Sequence, residues 1–279
     1  MYQKKNSWKR VFLYLFVFIV CIVILYPYFV MFTTAAKTDG EMYSTAAASL
    51  LPHTWQWSNF VEIWKSAPVF NYLLNSVIIS AGATLLAILC GIPAAYALSR
   101  MRFKGKGFFL GAVIMSQMFS PVVLLVGIYR LMTNMGLTNS VWGLILLNAA
   151  FNQAFAIWLL RGTFMSISPE MEQAAKIDGC NTIQSMIRVL LPMAAPGIVT
   201  ALIFVFINSW NEYTIALTLI SDEMLKPITV GINKFYGFNF IQWQYLFATS
   251  LFATIPVIIL FLLIEKHLAA GLTAGGVKG

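Results

Sequence analysis

The sequence predicts an all-α, polytopic membrane protein with six transmembrane helices, and three observations carry that prediction. Of its 279 residues, 59% are hydrophobic and only 10% charged, whereas a soluble domain has roughly 45–50% apolar and about 25% charged residues. Six stretches lack Asp, Glu, Lys and Arg, over residues 11–36, 66–99, 107–129, 131–160, 189–211 and 235–264. Each exceeds the ~20 apolar residues that a helix needs to cross a bilayer. The stretches are continuously apolar rather than alternating, which excludes transmembrane β-strands.

The third observation is where the charge sits. A formal net charge of +8 would suit nucleic acid, but the basic residues fall in short clusters at span ends. Lys4, Lys5, Lys9 and Arg10 precede the first span; Arg100, Arg102, Lys104 and Lys106 follow the second; Arg161, Lys176 and Arg188 follow the fourth; Lys266 and Lys278 follow the sixth. The opposite side holds only Lys37, Lys65, Arg130, Lys226 and Lys234. This asymmetry places both termini in the cytoplasm and argues for a membrane lipid partner and no nucleic acid.

Taken in order, the first span, 11–33, is far longer than the 7–15-residue core of a signal peptide and reads as a retained helix. The outer segment 37–65 carries Trp55, Trp57 and Trp64 around Pro52, as expected of an interfacial anchor. Ser58 is placed to cap a short helix with Phe60, Ile63 and Trp64 on one face. The second span, 71–99, contains Gly82, Gly91 and Pro93 before Ala94, Ala95 and Ala97; the third, 107–131, opens with Gly107 and Gly111. Small residues at such spacing permit close helix packing, and Pro93 removes one backbone donor. The fourth, fifth and sixth spans are expected at 141–161, 192–217 and 243–265. Residues 1–279 are expected to form one membrane domain with no soluble domain attached. Three cysteines and two histidines are too few and too dispersed for a metal centre or an oxidised bridge.

The inner loop 162–191 has its own helical grammar. Ser168 and Pro169 open a helix, Glu170 and Glu172 occupy its first turn, Glu172 and Lys176 form an i,i+4 pair, and Gly179 ends it. Met171, Ala174, Ala175 and Asp178 share a face. That flat surface suits docking by another protein and packing against the chain's own bundle equally well. Polar groups inside apolar spans face a bundle interior or watery cavity, so Asn208, Trp210, Asn211 and Glu212 are pathway candidates, with Gln117, Ser120, Asn152 and Gln153 behind them. The same residues also suit a helix end that packs against a neighbouring chain. The Gly-rich tail 271–279 cannot continue a regular apolar helix.

The run Met171-Glu172-Gln173-Ala174-Ala175-Lys176-Ile177-Asp178-Gly179, with Pro192 thirteen residues beyond the Gly, resembles the EAA loop of ABC-transporter permease subunits. The resemblance covers essentially the whole chain and is closest to the maltose-type second permease of carbohydrate importers. Tyr26-Pro27, Asn75-Ser76, Ala95-Tyr96-Ala97-Leu98-Ser99-Arg100, Phe103-Lys104-Gly105-Lys106, Ser209-Trp210-Asn211-Glu212 and the tail Gly271 to Gly279 match as well. It implies the type I ABC importer permease fold in a bacterial cytoplasmic membrane. It also implies a second homologous permease, two ATPase subunits, an extracytoplasmic sugar-binding protein and a sugar substrate. Met171, Glu172, Gln173, Ala174, Ala175, Asp178 and Gly179 would couple to the ATPases, and Gly276 and Lys278 of the tail would reach them.

No cofactor is then bound by this chain, and ATP and Mg would sit on the partner ATPase subunits. The sequence agrees in lacking a G-x-x-x-x-G-K-[ST] phosphate loop, and it offers no catalytic set for an intramembrane enzyme. Gln173 stands where the family has Glu, which removes a charge from the coupling surface and leaves a neutral hydrogen-bonding group. The alternative class is an autonomous secondary transporter, for which Glu212 would be the sole intramembrane acid.

Overall fold

The computed structural model describes residues 7–237 and 240–275 and divides into two compact units, one formed by residues 1–69 and 232–254 and the other by 70–231 and 255–279. The helices in chain order are α1 (Ser7–Ala35), α2 (Asp39–Met42), α3 (Asn59–Ser66), α4 (Val69–Arg100), α5 (Lys106–Ser116), α6 (Pro121–Asn134) and α7 (Val141–Ser166). They continue as α8 (Pro169–Ile177), α9 (Thr182–Ser185), α10 (Leu191–Trp210), α11 (Thr214–Leu219), α12 (Ile228–Gly231) and α13 (Trp243–Gly275). Among the described residues, five helices are long and apolar enough to cross a membrane, and α5 with α6 makes a sixth if counted as one bent span.

That bend corrects the continuous third span expected over 107–131. α5 and α6 meet at 98°, because Pro121 has no N–H to donate back into α5 and its ring drives Ser120 into an extended conformation (φ −66°, ψ 130°). The fifth span also ends early: its helix stops at Trp210, and α11 starts after a break at 211–213. At the other end of the chain α13 runs through Gly275, five residues into the segment expected to be non-helical.

In the first unit, the outer segment is a folded cap rather than a loose loop. Lys37, counted among the basic residues of the outer side, is only 2% exposed; its Nζ donates to the carbonyls of Ala47 (3.0 Å) and Ser49 (2.6 Å). Asn59 Nδ2 donates to the carbonyls of Ala35 and Lys37 at 2.9 and 2.8 Å, so the end of α1 is pinned to α3. Ser58 sits at the N-cap position of α3 but makes no capping hydrogen bond. The Tyr245 hydroxyl donates to Glu62 at 2.5 Å and, with a weaker contribution from Ser58, holds the Glu62 carboxyl below the usual carboxylate range. Trp55 stacks on Trp57 with ring centres 5.3 Å apart, and both are exposed; Trp64 packs edge-on against Phe252.

The second unit holds the core. Ala83, Ala87 and Ala95 of α4, Ala149, Ala156 and Leu160 of α7, and Ala194, Ala201 and Val205 of α10 are buried together. Their small side chains let the three helices approach closely. Where they cross, glycine is required: a Cβ on Gly82 would lie 2.9 Å from Ile145 Cδ1, and one on Gly197 only 2.2 Å from Thr163 Oγ1. Gly107 and Gly111, expected to serve the same purpose, face open space instead. A second cluster joins Ile79, Met132, Leu144, Ile145, Ile215 and Leu219. By contrast, the α1 side chains from Val11 to Phe29 are exposed around the whole helix, an arrangement tolerable in lipid or against a partner and not in water.

Candidate functional site

The helix of the EAA-like run forms as its sequence dictates. Ser168 Oγ accepts from the Glu170 N–H at 3.3 Å and Pro169 fills the first position, where a missing N–H costs nothing. At the other end Gly179 takes a left-handed conformation (φ +88°). Its N–H donates to the Lys176 carbonyl at 3.1 Å, while the Cys180 N–H donates to Ala175 at 3.0 Å. This pair of bonds is the Schellman closure that glycine permits.

The two faces of α8 serve different ends. Glu172 and Ala175 are buried against the chain itself. Glu172, 6% exposed, accepts from the Tyr96 hydroxyl and pairs with Arg100 Nε at 3.4 Å and Lys176 Nζ at 3.2 Å. Its charge is therefore engaged within the chain. The exposed face carries Met171, Gln173, Ala174, Asp178 and Gly179 together with Ile177, which is 87% exposed. Sequence reasoning passed over Ile177, although an isoleucine between Lys176 and Asp178 was signal enough.

The pathway candidates separate into two groups. Asn208 Nδ2 donates to Asn152 Oδ1 at 3.2 Å, and Asn152 Nδ2 lies 3.5 Å from Ser209 Oγ, so α7 and α10 share a polar cluster. Gln117, in the break between α5 and α6, donates to the Phe151 carbonyl at 3.1 Å, one residue from Asn152. Asn208, Asn211 and Gln117 are exposed. Trp210 is not: it is 5% exposed and stacks on Phe206. The Glu212 carboxylate is also spent internally, since its two oxygens accept from the N–H groups of Ile215 (2.7 Å) and Ala216 (3.0 Å) and cap α11. The expected cluster of Trp210, Asn211 and Glu212 with the amides thus divides into structural and exposed members. Gly276 and Lys278 lie outside the described residues. Among the described residues no group of three or more His, Cys, Asp or Glu side chains could hold a metal ion.

The profile of the family described as binding-protein-dependent transport system inner membrane component matches residues 83–273, from the middle of α4 to the end of α13. The chain belongs to this family. The permease is 38% identical over 266 residues to the probable ABC transporter permease protein YurM of Bacillus subtilis, covering 95% of this chain and 88% of the relative. It is 34% identical over 248 residues to the trehalose transport system permease protein SugB of Mycobacterium tuberculosis, covering 88% of each. Its fold is that of a chain in a bacterial ABC transporter involved in the import of the acidic polysaccharide alginate, with a TM-score of 0.78, 22% identity, and coverage of 95% of this chain and 98% of that one. The protein is accordingly an all-α, multi-pass ABC transporter permease subunit, and the component it represents is the membrane-spanning one rather than a catalytic one. The permease's EAA-like helix, α8, falls inside the matched region.

Proposed function

We propose that this permease forms, with a second homologous permease, the translocation path for a sugar or oligosaccharide, and that α8 couples the path to two ATPase subunits that bind ATP and Mg. An extracytoplasmic sugar-binding protein delivers the substrate, and both termini lie in the cytoplasm. The observation that carries the coupling reading is the division of α8: Glu172 and Ala175 anchor it to the bundle, while Met171, Gln173, Ala174, Ile177, Asp178 and Gly179 stand free for a partner. Gln173 offers that partner a neutral hydrogen bond, and Gly276 and Lys278 of the tail add contacts to it.

The sugar class is supported by the trehalose transport relative and by amide groups of Asn152, Asn208 and Gln117 near one another, the chemistry that hydroxyl-rich ligands need. Asn211 extends this set, whereas Trp210 and Glu212 support the walls of the path rather than touch the cargo. The test is intact mass of the gently solubilised complex carrying a tag on this chain, followed by ATP hydrolysis assayed against a sugar panel. One different permease, two ATPase copies and sugar-stimulated hydrolysis are expected. Recovery of the chain alone or as a homodimer under several mild detergents would overturn the reading.

A further inference from the structure

The geometry points to a mechanical linkage in which Tyr96 and Arg100 grip Glu172, so that the C-terminal end of α4 moves with α8 and swings about Pro93. This deepens the coupling reading above and rests on it. Covalently, α8 is joined to α7 through 167–168 and to α9 through 178–181; α4 lies some seventy residues earlier and has no such connection. Side chains supply one. Glu172 is the buried carboxylate of α8, and two of its three partners, Tyr96 and Arg100, stand one helical turn apart on α4. Arg100 holds the joint on both sides, because its Nη2 also donates to the Ile167 carbonyl at 2.7 Å, just ahead of the Ser168 cap.

The contact from α7 to the same turn of α4, Arg161 Nε to the Leu98 carbonyl, is long at 3.4 Å and is the bond the swing would break. Withdrawing α8 from α4 would part Glu172 from the Tyr96 hydroxyl and from Arg100, leaving Lys176 as its charged partner and breaking a largely buried ion pair. The bend has a natural place. Pro93 lies inside α4, seven residues before Arg100, and leaves the Leu89 carbonyl without its intrahelical donor. Residues 94–100 are then a lever, Pro93 its pivot, and Tyr96 and Arg100 positioning residues rather than contacts to ATPase or cargo.

The linkage is tested by spin-label distances in the assembled transporter in nanodiscs, with and without ATP and vanadate. Labels at Met101→Cys and Glu170→Cys, with Cys21, Cys90 and Cys180 replaced, report whether the end of α4 follows α8; labels at Met101→Cys and Trp142→Cys report whether that end moves against α7. In the otherwise native complex the first distance is expected to stay fixed on adding nucleotide while the second shifts. Arg100→Lys keeps the charge but cannot span both acceptors, and Tyr96→Phe removes only a hydroxyl, so both should leave complex recovery and basal ATP hydrolysis unchanged. In each, the first distance should become nucleotide-dependent and the second shift should shrink; Arg100→Ala should do both more strongly. Native-like distances in all three variants would overturn the linkage alone. A native complex in which nucleotide changes neither the mobility of the Glu170→Cys label nor either distance would overturn the coupling reading and the linkage with it.

Discussion

At the scale of single residues, the chain shows that the same residue type does opposite work a few positions apart. Glu212 looks like a pathway acid on hydropathy grounds, yet its oxygens close the first turn of α11. Glu212→Ala should leave two backbone donors unmet, at a cost of about 0.5–2 kcal/mol. Hydrogen exchange at Ile215 and Ala216 is expected to accelerate, with uptake falling by a similar factor for every sugar. Asn208→Ala should instead raise KM for some sugars more than others, measured by uptake competition; a uniform effect would remove Asn208 from the path. At Gly179, where φ is +88°, a valine would sit in the left-handed region at about 1–2 kcal/mol. Gly179→Val is expected to insert into the membrane at the native level while nucleotide-driven uptake drops severalfold.

These residue roles were unequally legible. The caps and ends of α8 depend only on neighbours in the chain, so Ser168, Pro169 and Gly179 announced themselves. Whether Glu172 faces outward or inward depends on where α4 lies, and the sequence displays Tyr96 and Arg100 seventy residues away without saying that they turn toward it. Trp210 was ambiguous for the same reason: an aromatic side chain beside amides fits a sugar site and a helix crossing alike, and its burial and stacking on Phe206 depend on how the helices pack.

At the scale of elements, helix existence followed from hydropathy, because a bilayer imposes one length and one backbone solution on every crossing. Boundaries and breaks did not. Residues 107–131 carry a single charge, Arg130, and few polar side chains, so hydropathy overrode the warning that Ser120-Pro121 gave. Small residues were likewise over-read, since Gly111 and Gly197 look alike in sequence and differ entirely in surroundings. Gly197→Val should clash with Thr163 and cost about 1–3 kcal/mol, seen as a lower Tm of the purified permease. Gly111→Val meets open space and should leave Tm essentially where it was.

At the scale of the whole molecule, the charge asymmetry predicts an orientation that labelling can check. With the termini inside, Lys104→Cys, in the exposed loop after α4, should react with a membrane-impermeant thiol reagent only in opened vesicles, and Trp57→Cys in intact cells, both in a background where Cys21, Cys90 and Cys180 are replaced. Reversed reactivity would invert the topology and remove α8 from the side where ATP is found. The outer cap is the part of the molecule that hydropathy described least: Lys37, Glu41 and Asn59 are buried and bonded, although nothing in their local sequence distinguishes them from loop residues.

The break between α5 and α6 has a consequence for the medium inside the protein. α5 has eleven residues, so it climbs about 16 Å at 1.5 Å per residue and ends near the middle of a hydrocarbon layer about 30 Å thick. There hydrocarbon could not solvate a bare helix end, and the turn meets that demand from within: the carbonyls of Val113, Ile114 and Met115 accept from Ser116 Oγ and from the N–H groups of Gln117 and Met118, and the Val123 N–H donates to the Ser120 carbonyl. Pro121 fills the first position of α6, where no donor is needed. A corner that carries its own solvation needs little water to sit at that depth.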